Sequence, residues 1–269
     1  MKRRAGVNAK PLWLYIVGVL VLFYLVLPII IIIPMSFSGA EYLQFPPQSL
    51  SLRWYEEFFT SSKWLRAAAN SLTIAVATML VSTILGTLAS IGITSKAMKK
   101  GGRFLNMLLL TPMIMPSIIA AIGMYMVYGQ WKISGTYPGL VLAHSCLAIP
   151  MVVTLMSASL YGIDMRLYDA ARSLGASAFT AVIKVILPLV RPALVSSLLF
   201  SFVTSFDETV VTQFIARSQT ATLPKVIFDA LKYDVSPTIS AIASMLIALT
   251  IFIFALKTIF EHRENARRS

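Results

Sequence analysis

Apolar residues gather in six long runs, at about 12–34, 68–94, 104–128, 138–160, 192–215 and 237–259, and the charged residues fall mostly between them. About 20 consecutive apolar residues let a helix cross a hydrocarbon core of about 30 Å. In lipid the backbone must satisfy its own hydrogen bonds, which a helix does within one segment. The pattern predicts an all-α membrane protein, six transmembrane helices in a single domain spanning 1–269. The first run is longer than the ~7–15 apolar residues of a cleavable signal, so it is read as an uncleaved anchor.

The runs and loops carry their own punctuation. The third run holds Thr111-Pro112-Met113-Ile114-Met115-Pro116 and then Gly123. Paired prolines break the hydrogen-bond ladder, and such breaks survive at membrane depth where they pack inside protein or line a cavity. The run is either a kinked packing helix with methionine filler or a wall of a transport path. Between the first two runs, Phe45-Pro46-Pro47 signals a turn. Leu52-Arg53-Trp54-Tyr55-Glu56-Glu57-Phe58-Phe59 after it predicts a short helix on the outer interface. Trp54, Tyr55 and Trp64 suit an aromatic belt there; a surface for a delivery protein is the other reading.

The loop at 161–190 is organised differently. Asp164 is predicted to cap a short helix and Gly175 to end it in a left-handed conformation. Leu167, Ala171 and Leu174 recur at i, i+4 and i+7 with Ala170 adjacent, a narrow apolar face, while Arg166, Asp169 and Arg172 lie off it. So short a helix is marginal alone and calls for a partner groove; an ordinary amphipathic linker is the alternative. Ser177 begins a second helix through Phe179, Val182, Ile183 and Ile186, which Leu187-Pro188 is expected to end.

The fifth run contains two carboxylates, Asp207 and Glu208, in an otherwise apolar stretch. Such groups are costly in a membrane and face a cavity or a partner. Asp207 lies 15 residues beyond Pro192, about 22 Å at helical rise, in the outer half. Either the helix breaks here and the carboxylates cap the boundary, or one or both meet a passing cation. On the second reading Ser205, Thr209, Thr212 and Gln213 would replace part of a solute's hydration and Tyr125, Tyr128 and Phe206 would add cation–π contacts; ordinary aromatic packing is the default for each ring.

Composition narrows the class. Only 13% of the 269 residues are charged, about half the share in globular proteins, and mean hydropathy is +0.78. The net charge of +12 raises the question of nucleic acid, and its distribution answers it. With a cytoplasmic N-terminus and six spans, 16 Lys and Arg residues fall inside and 7 outside, the bias of cytoplasmic loops. Basicity is then an orientation signal, with some attraction to anionic lipid headgroups, and no nucleic acid is implied. Cys146 is the single cysteine; it stands two residues from His144, and with no third ligand nearby packing and local hydrogen bonding explain the pair better than a metal. No Gly-x4-Gly-Lys-Ser/Thr motif occurs, so the chain is not expected to bind ATP in P-loop fashion, and if transport is driven by ATP another subunit must supply it.

The loop sequence Tyr168-Asp169-Ala170-Ala171-Arg172-Ser173-Leu174-Gly175, closed by Val185-Ile186-Leu187-Pro188, resembles the EAA loop of binding-protein-dependent ABC importer permeases. Asp169 stands where that pattern has Glu, and Val185 where it has Ile. Phe45-Pro46-Pro47 with Leu52-Arg53-Trp54, Ser205-Phe206-Asp207-Glu208 and Thr222-Leu223-Pro224 are similar to the second permease subunit of spermidine/putrescine importers, and the likeness runs over essentially the whole chain. The resemblance implies the type I importer permease fold with cytoplasmic coupling helices, in the bacterial inner membrane with both termini cytoplasmic. It implies that Leu167, Asp169, Ala170, Ala171, Leu174, Gly175, Leu187 and Pro188 meet an ATPase, and that Asp207, Glu208, Ser205, Thr209 and Tyr125 line the solute path. The partners would be an ATPase dimer holding ATP and Mg, a second homologous permease subunit and an extracytoplasmic solute-binding protein. This chain would bind no cofactor and perform no catalysis. A polyamine such as putrescine or spermidine is the expected solute; an opine, an amino-acid derivative or a phosphonate is the alternative. A secondary transporter is the weaker reading, because intramembrane ionisable residues are nearly limited to Asp207 and Glu208.

Overall fold

A computed structural model describes residues 12–95, 101–233 and 236–252. The end of the sixth run beyond 252, the basic residues of 96–100 and both basic tails lie outside the described residues. Among the described residues the regular elements are all helical, apart from one isolated bridge between Ser38 and Leu50.

Among the described residues three helices are long and apolar enough to cross a membrane: α1 (Leu12–Ser36), α3 (Ser62–Thr94) and α6 (Tyr137–Tyr161). The remaining apolar runs differ from the single spans expected. The third is two helices, α4 (Gly101–Ile114) and α5 (Ser117–Gln130), bent by 106°. Of its two prolines only Pro116 breaks the chain. It starts α5, where a missing N–H is harmless, whereas Pro112 lies inside α4. The fifth is α10 (Arg191–Phe206) and α11 (Val210–Ile215), with residues 207–209 between them. Five spans result if α4–α5 counts as one and α10, with the bent segment before it, as another; an apolar helix, Thr238–Phe252, follows α12 (Leu223–Tyr233).

The chain divides into two compact units, Met1–Ser62 with Ala230–Ser269, and Lys63–Asp229. In the first, α1 is exposed along most of its length, as befits a surface covered by lipid or protein. After it the chain pinches closed: Gly39 N–H donates to Ser49 O at 2.9 Å and Ser51 N–H to Phe37 O at 2.7 Å. The expected interfacial helix is α2 (Arg53–Thr60), but its tryptophan is no belt residue. Trp54 is buried and its indole N–H donates to Ser38 O at 2.7 Å. Trp64, at the start of α3, is likewise buried. The large rings pack against protein because their N–H groups and area are better satisfied there.

The second unit is built around α6. Its N-terminal half joins a cluster of Ile74, Ala121, Tyr128, Leu140, Ala143, Val211 and Ile215; its C-terminal half joins Val152, Met156, Leu160, Ile186 and Val190. Gly86 of α3 lets α6 approach closely, since a Cβ there would meet Val152 Cγ1 at 2.6 Å. On α10, Ser197, Ser201 and Ser205 recur every fourth residue, all buried; small side chains are what permit close helix approach in membranes.

Candidate functional site

Two places carry candidate function, one at each end of α10. The first is the 161–190 loop. Its short helix is α7 (Arg166–Ser173). Asp164 Oδ1 accepts from the Arg166 N–H at 3.0 Å, but from one position before the N-cap, which is Met165 and not Asp164 as expected. Gly175 has φ +91°. The Gly175 N–H donates to Arg172 O and the Ala176 N–H to Ala171 O, each at 3.1 Å, the paired closure of a Schellman motif.

Side chains divide this helix more sharply than its spacing suggests. Met165 and Tyr168 pack on the cluster at the C-terminal half of α6, and Ala171 is half-buried. Leu167, Ala170 and Leu174 are exposed, Leu174 by 89%. The outward apolar stripe is therefore Leu167, Ala170 and Leu174, with Ala171 on the inward side. Asp169 is exposed at the helix surface.

Ser177 caps the next helix through Thr180 N–H at 3.1 Å, as expected. The helix does not stop at Pro188. It continues from α8 (Ala178–Ala181) through a π turn, Val182–Ile186, into α9 (Leu187–Leu189), and turns by 82° into α10 after Val190. The wide turn, in which Leu187 N–H reaches Val182 O, relaxes the crowding a proline imposes on the preceding turn. Beneath α7 lies a cavity of about 100 Å³, walled by Ile91, Thr94, Leu160, Met165, Tyr168 and Val182 among others.

The second place is the break between α10 and α11. Glu208 is half-buried, and its Oε1 accepts from Val211 N–H at 2.8 Å, so it caps α11. Asp207 ends α10 and is exposed, with no ion pair among the described residues. Thr209 donates to Asp207 O at 3.3 Å. Tyr125 lies on the exposed side of α5. Ser205, expected to face the solute, is buried with its hydroxyl 2.8 Å from His144 Nδ1. Thr212 is buried too, 3.0 Å from His144 Nε2. These hydroxyls serve the protein interior, because in an apolar surrounding a polar group seeks a protein partner.

Three further polar groups tie together the helices and the segments beyond the break, and the sequence reading singled out only His144 among them, as a residue of packing and local hydrogen bonding. Lys225 Nζ donates to Gln213 Oε1 at 3.0 Å and to Asp229 Oδ2 at 2.9 Å, tying α12 to α11. Asn70 donates to Gln219 O at 3.0 Å and Ala221 O at 2.9 Å and accepts from Tyr137 OH at 2.6 Å. Its amide, alone in an apolar run, was the available signal. His144, buried on α6, is the third.

Residues 82–265 match the family described as binding-protein-dependent transport system inner membrane component. That match spans more than half of the chain, both candidate places included. The chain belongs to this family. It is a transmembrane permease component of a binding-protein-dependent transport system, and such a component is not itself an enzyme. Among relatives, the spermidine/putrescine transport system permease protein PotC of Haemophilus influenzae is 33% identical over 90% of this chain and 93% of its own. The putrescine transport system permease protein PotI of Escherichia coli K12 is 25% identical over 87% and 85%. The fold is shared with a solved bacterial ABC transporter involved in import of the acidic polysaccharide alginate, at a TM-score of 0.74 and 17% identity, covering 96% of this chain and 99% of that one.

Proposed function

We propose that this permease component passes a polyamine, of the putrescine or spermidine class, across the inner membrane in an ATP-driven importer. The names of the relatives support the solute class, and one structural observation carries it to this chain: a helix break inside an apolar run presents the Asp207 carboxylate unpaired among the described residues. A carboxylate at such depth is costly without a cation to meet it. In this reading the chain has six spans, with both termini cytoplasmic.

The α7 stripe of Leu167, Ala170 and Leu174, with Asp169 beside it, seats in a cleft of an ATPase dimer that holds ATP and Mg. Gly175 closes the helix, and Leu187 and Pro188 carry the chain back to α10. A second homologous permease completes the pore, and an extracytoplasmic protein delivers the solute. Closure of the ATPases moves α7. Tyr168 and Met165 transmit that movement to Ile186, Val190 and the base of α10, whose far end is the acidic turn.

Deleting the chain from its host tests the solute class. Uptake of labelled putrescine or spermidine should fall to background and return with the restored gene. Unchanged uptake of both, with loss of an opine or phosphonate, overturns it. For coupling, Ala170→Glu should release the ATPase on co-purification while the spans stay folded, and retention of an active complex would refute the assignment.

A further inference from the structure

His144 is fully buried on α6, beside Leu140 and Ala143 of the apolar cluster at that helix's N-terminal half. It holds one residue on each side of the acidic break, Ser205 at 2.8 Å and Thr212 at 3.0 Å. Each ring nitrogen faces a hydroxyl that can donate or accept, and a neutral imidazole has one N–H and one lone pair. The Thr212 hydroxyl also lies 3.1 Å from Glu208 O. When Nε2 carries the ring hydrogen, the Thr212 hydroxyl accepts from the ring and donates to that carbonyl, and Nδ1 accepts from Ser205. A continuous chain runs Ser205 to His144 to Thr212 to the Glu208 carbonyl, and bonds in such chains polarise one another.

We propose that His144 is a positioning residue for the solute path: in its Nε2–H tautomer it clasps the last turn of α10 to α11 and so fixes where the turn at 207–209 presents its carboxylates. The proposal rests on the reading that this turn meets the solute. An aliphatic residue among Leu140, Ala143 and Val211 would fill the space without a desolvated ring. The imidazole instead serves two hydroxyls on two helices, seven residues apart in sequence. Neither hydroxyl is free to bind solute while the clasp holds; both act through His144.

The test has two arms on the full transporter. The chain has only two histidines, so the ¹⁵N-histidine spectrum of the transporter with His262→Gln, less that with His262→Gln and His144→Gln together, isolates this ring. The expected spectrum has a protonated Nε2 and an unprotonated, hydrogen-bonded Nδ1. A protonated Nδ1, or a ring protonated on both nitrogens, overturns the wiring. In the second arm, uptake of putrescine is measured for Asp207→Asn, His144→Phe and Thr212→Val. The last exchanges one hydroxyl for a methyl of the same shape and covers the case in which His144→Phe does not assemble. Thr212→Val should raise KM by roughly tenfold, the worth of about one hydrogen bond, with maximal velocity within about twofold. His144→Gln, which keeps a donor toward Thr212, should recover part of the loss. If Asp207→Asn is impaired and Thr212→Val is not, the clasp has no positioning role. If neither variant changes transport, the reading of the turn as solute path has failed and the proposal falls with it.

Discussion

Glu208 gives its carboxylate to the Val211 N–H at 2.8 Å, whereas Asp207, the next residue back, is exposed at the end of α10. Adjacent acids in one apolar run thus have separable roles, and mutation should separate them. Glu208→Ala removes a cap, a loss of about 1 kcal/mol, and should lower the thermal midpoint of the purified protein. Asp207→Asn should leave that midpoint unchanged and raise the KM for a cationic solute by about tenfold, equivalent to about 1.4 kcal/mol, in an uptake assay. Equal effects of both substitutions on stability and none on transport would make them two caps. The sequence made the pair visible because charge in an apolar stretch is rare. Which of the two caps depends on where α10 stops, and that depends on His144, more than 60 positions upstream of its partners. No local pattern encodes that separation.

At the scale of elements, α7 was legible almost residue by residue. Its opening bond and its closing glycine are local chemistry: Asp164 bonds two residues ahead, and Gly175 supplies a left-handed turn that other residues adopt at a cost of about 1–2 kcal/mol. The face it turns outward was read less well, since Ala171 packs inward behind Tyr168. The bent segments were the least legible. Length and hydropathy describe α4–α5 as one crossing, but the 106° bend is set by which neighbours each half packs on. α4 packs against α6, and α5 against α11. Close packing elsewhere was hidden in a single residue. Gly86→Val would drive two methyls into Val152, overpacking of a kind that costs about 1–3 kcal/mol. The expected result is a lowered thermal midpoint and poor yield, with Gly86→Ala intermediate. Thermal unfolding in detergent measures both.

For the whole molecule, the proposed six-span reading divides Lys and Arg into 16 against 7, and the division predicts the sides of the membrane. In that reading residues 161–190 fall on the basic side and the turn at 207–209 toward the other, with α10 between them. Ser173→Cys should therefore react with a membrane-impermeant maleimide only after cells are opened, whereas Lys132→Cys should react in intact cells. The opposite pattern would invert the protein and detach α7 from any cytoplasmic ATPase. The native Cys146 is only partly exposed, so a Cys146→Ser background gives a clean comparison. The pocket of about 100 Å³ under Tyr168 adds a mechanical signature. Val182 stands in its wall, and Val182→Phe would fill the space with a larger side chain. A foot that sinks into this hollow during the working stroke will lose transport in that variant, while one that merely rocks above it will be indifferent.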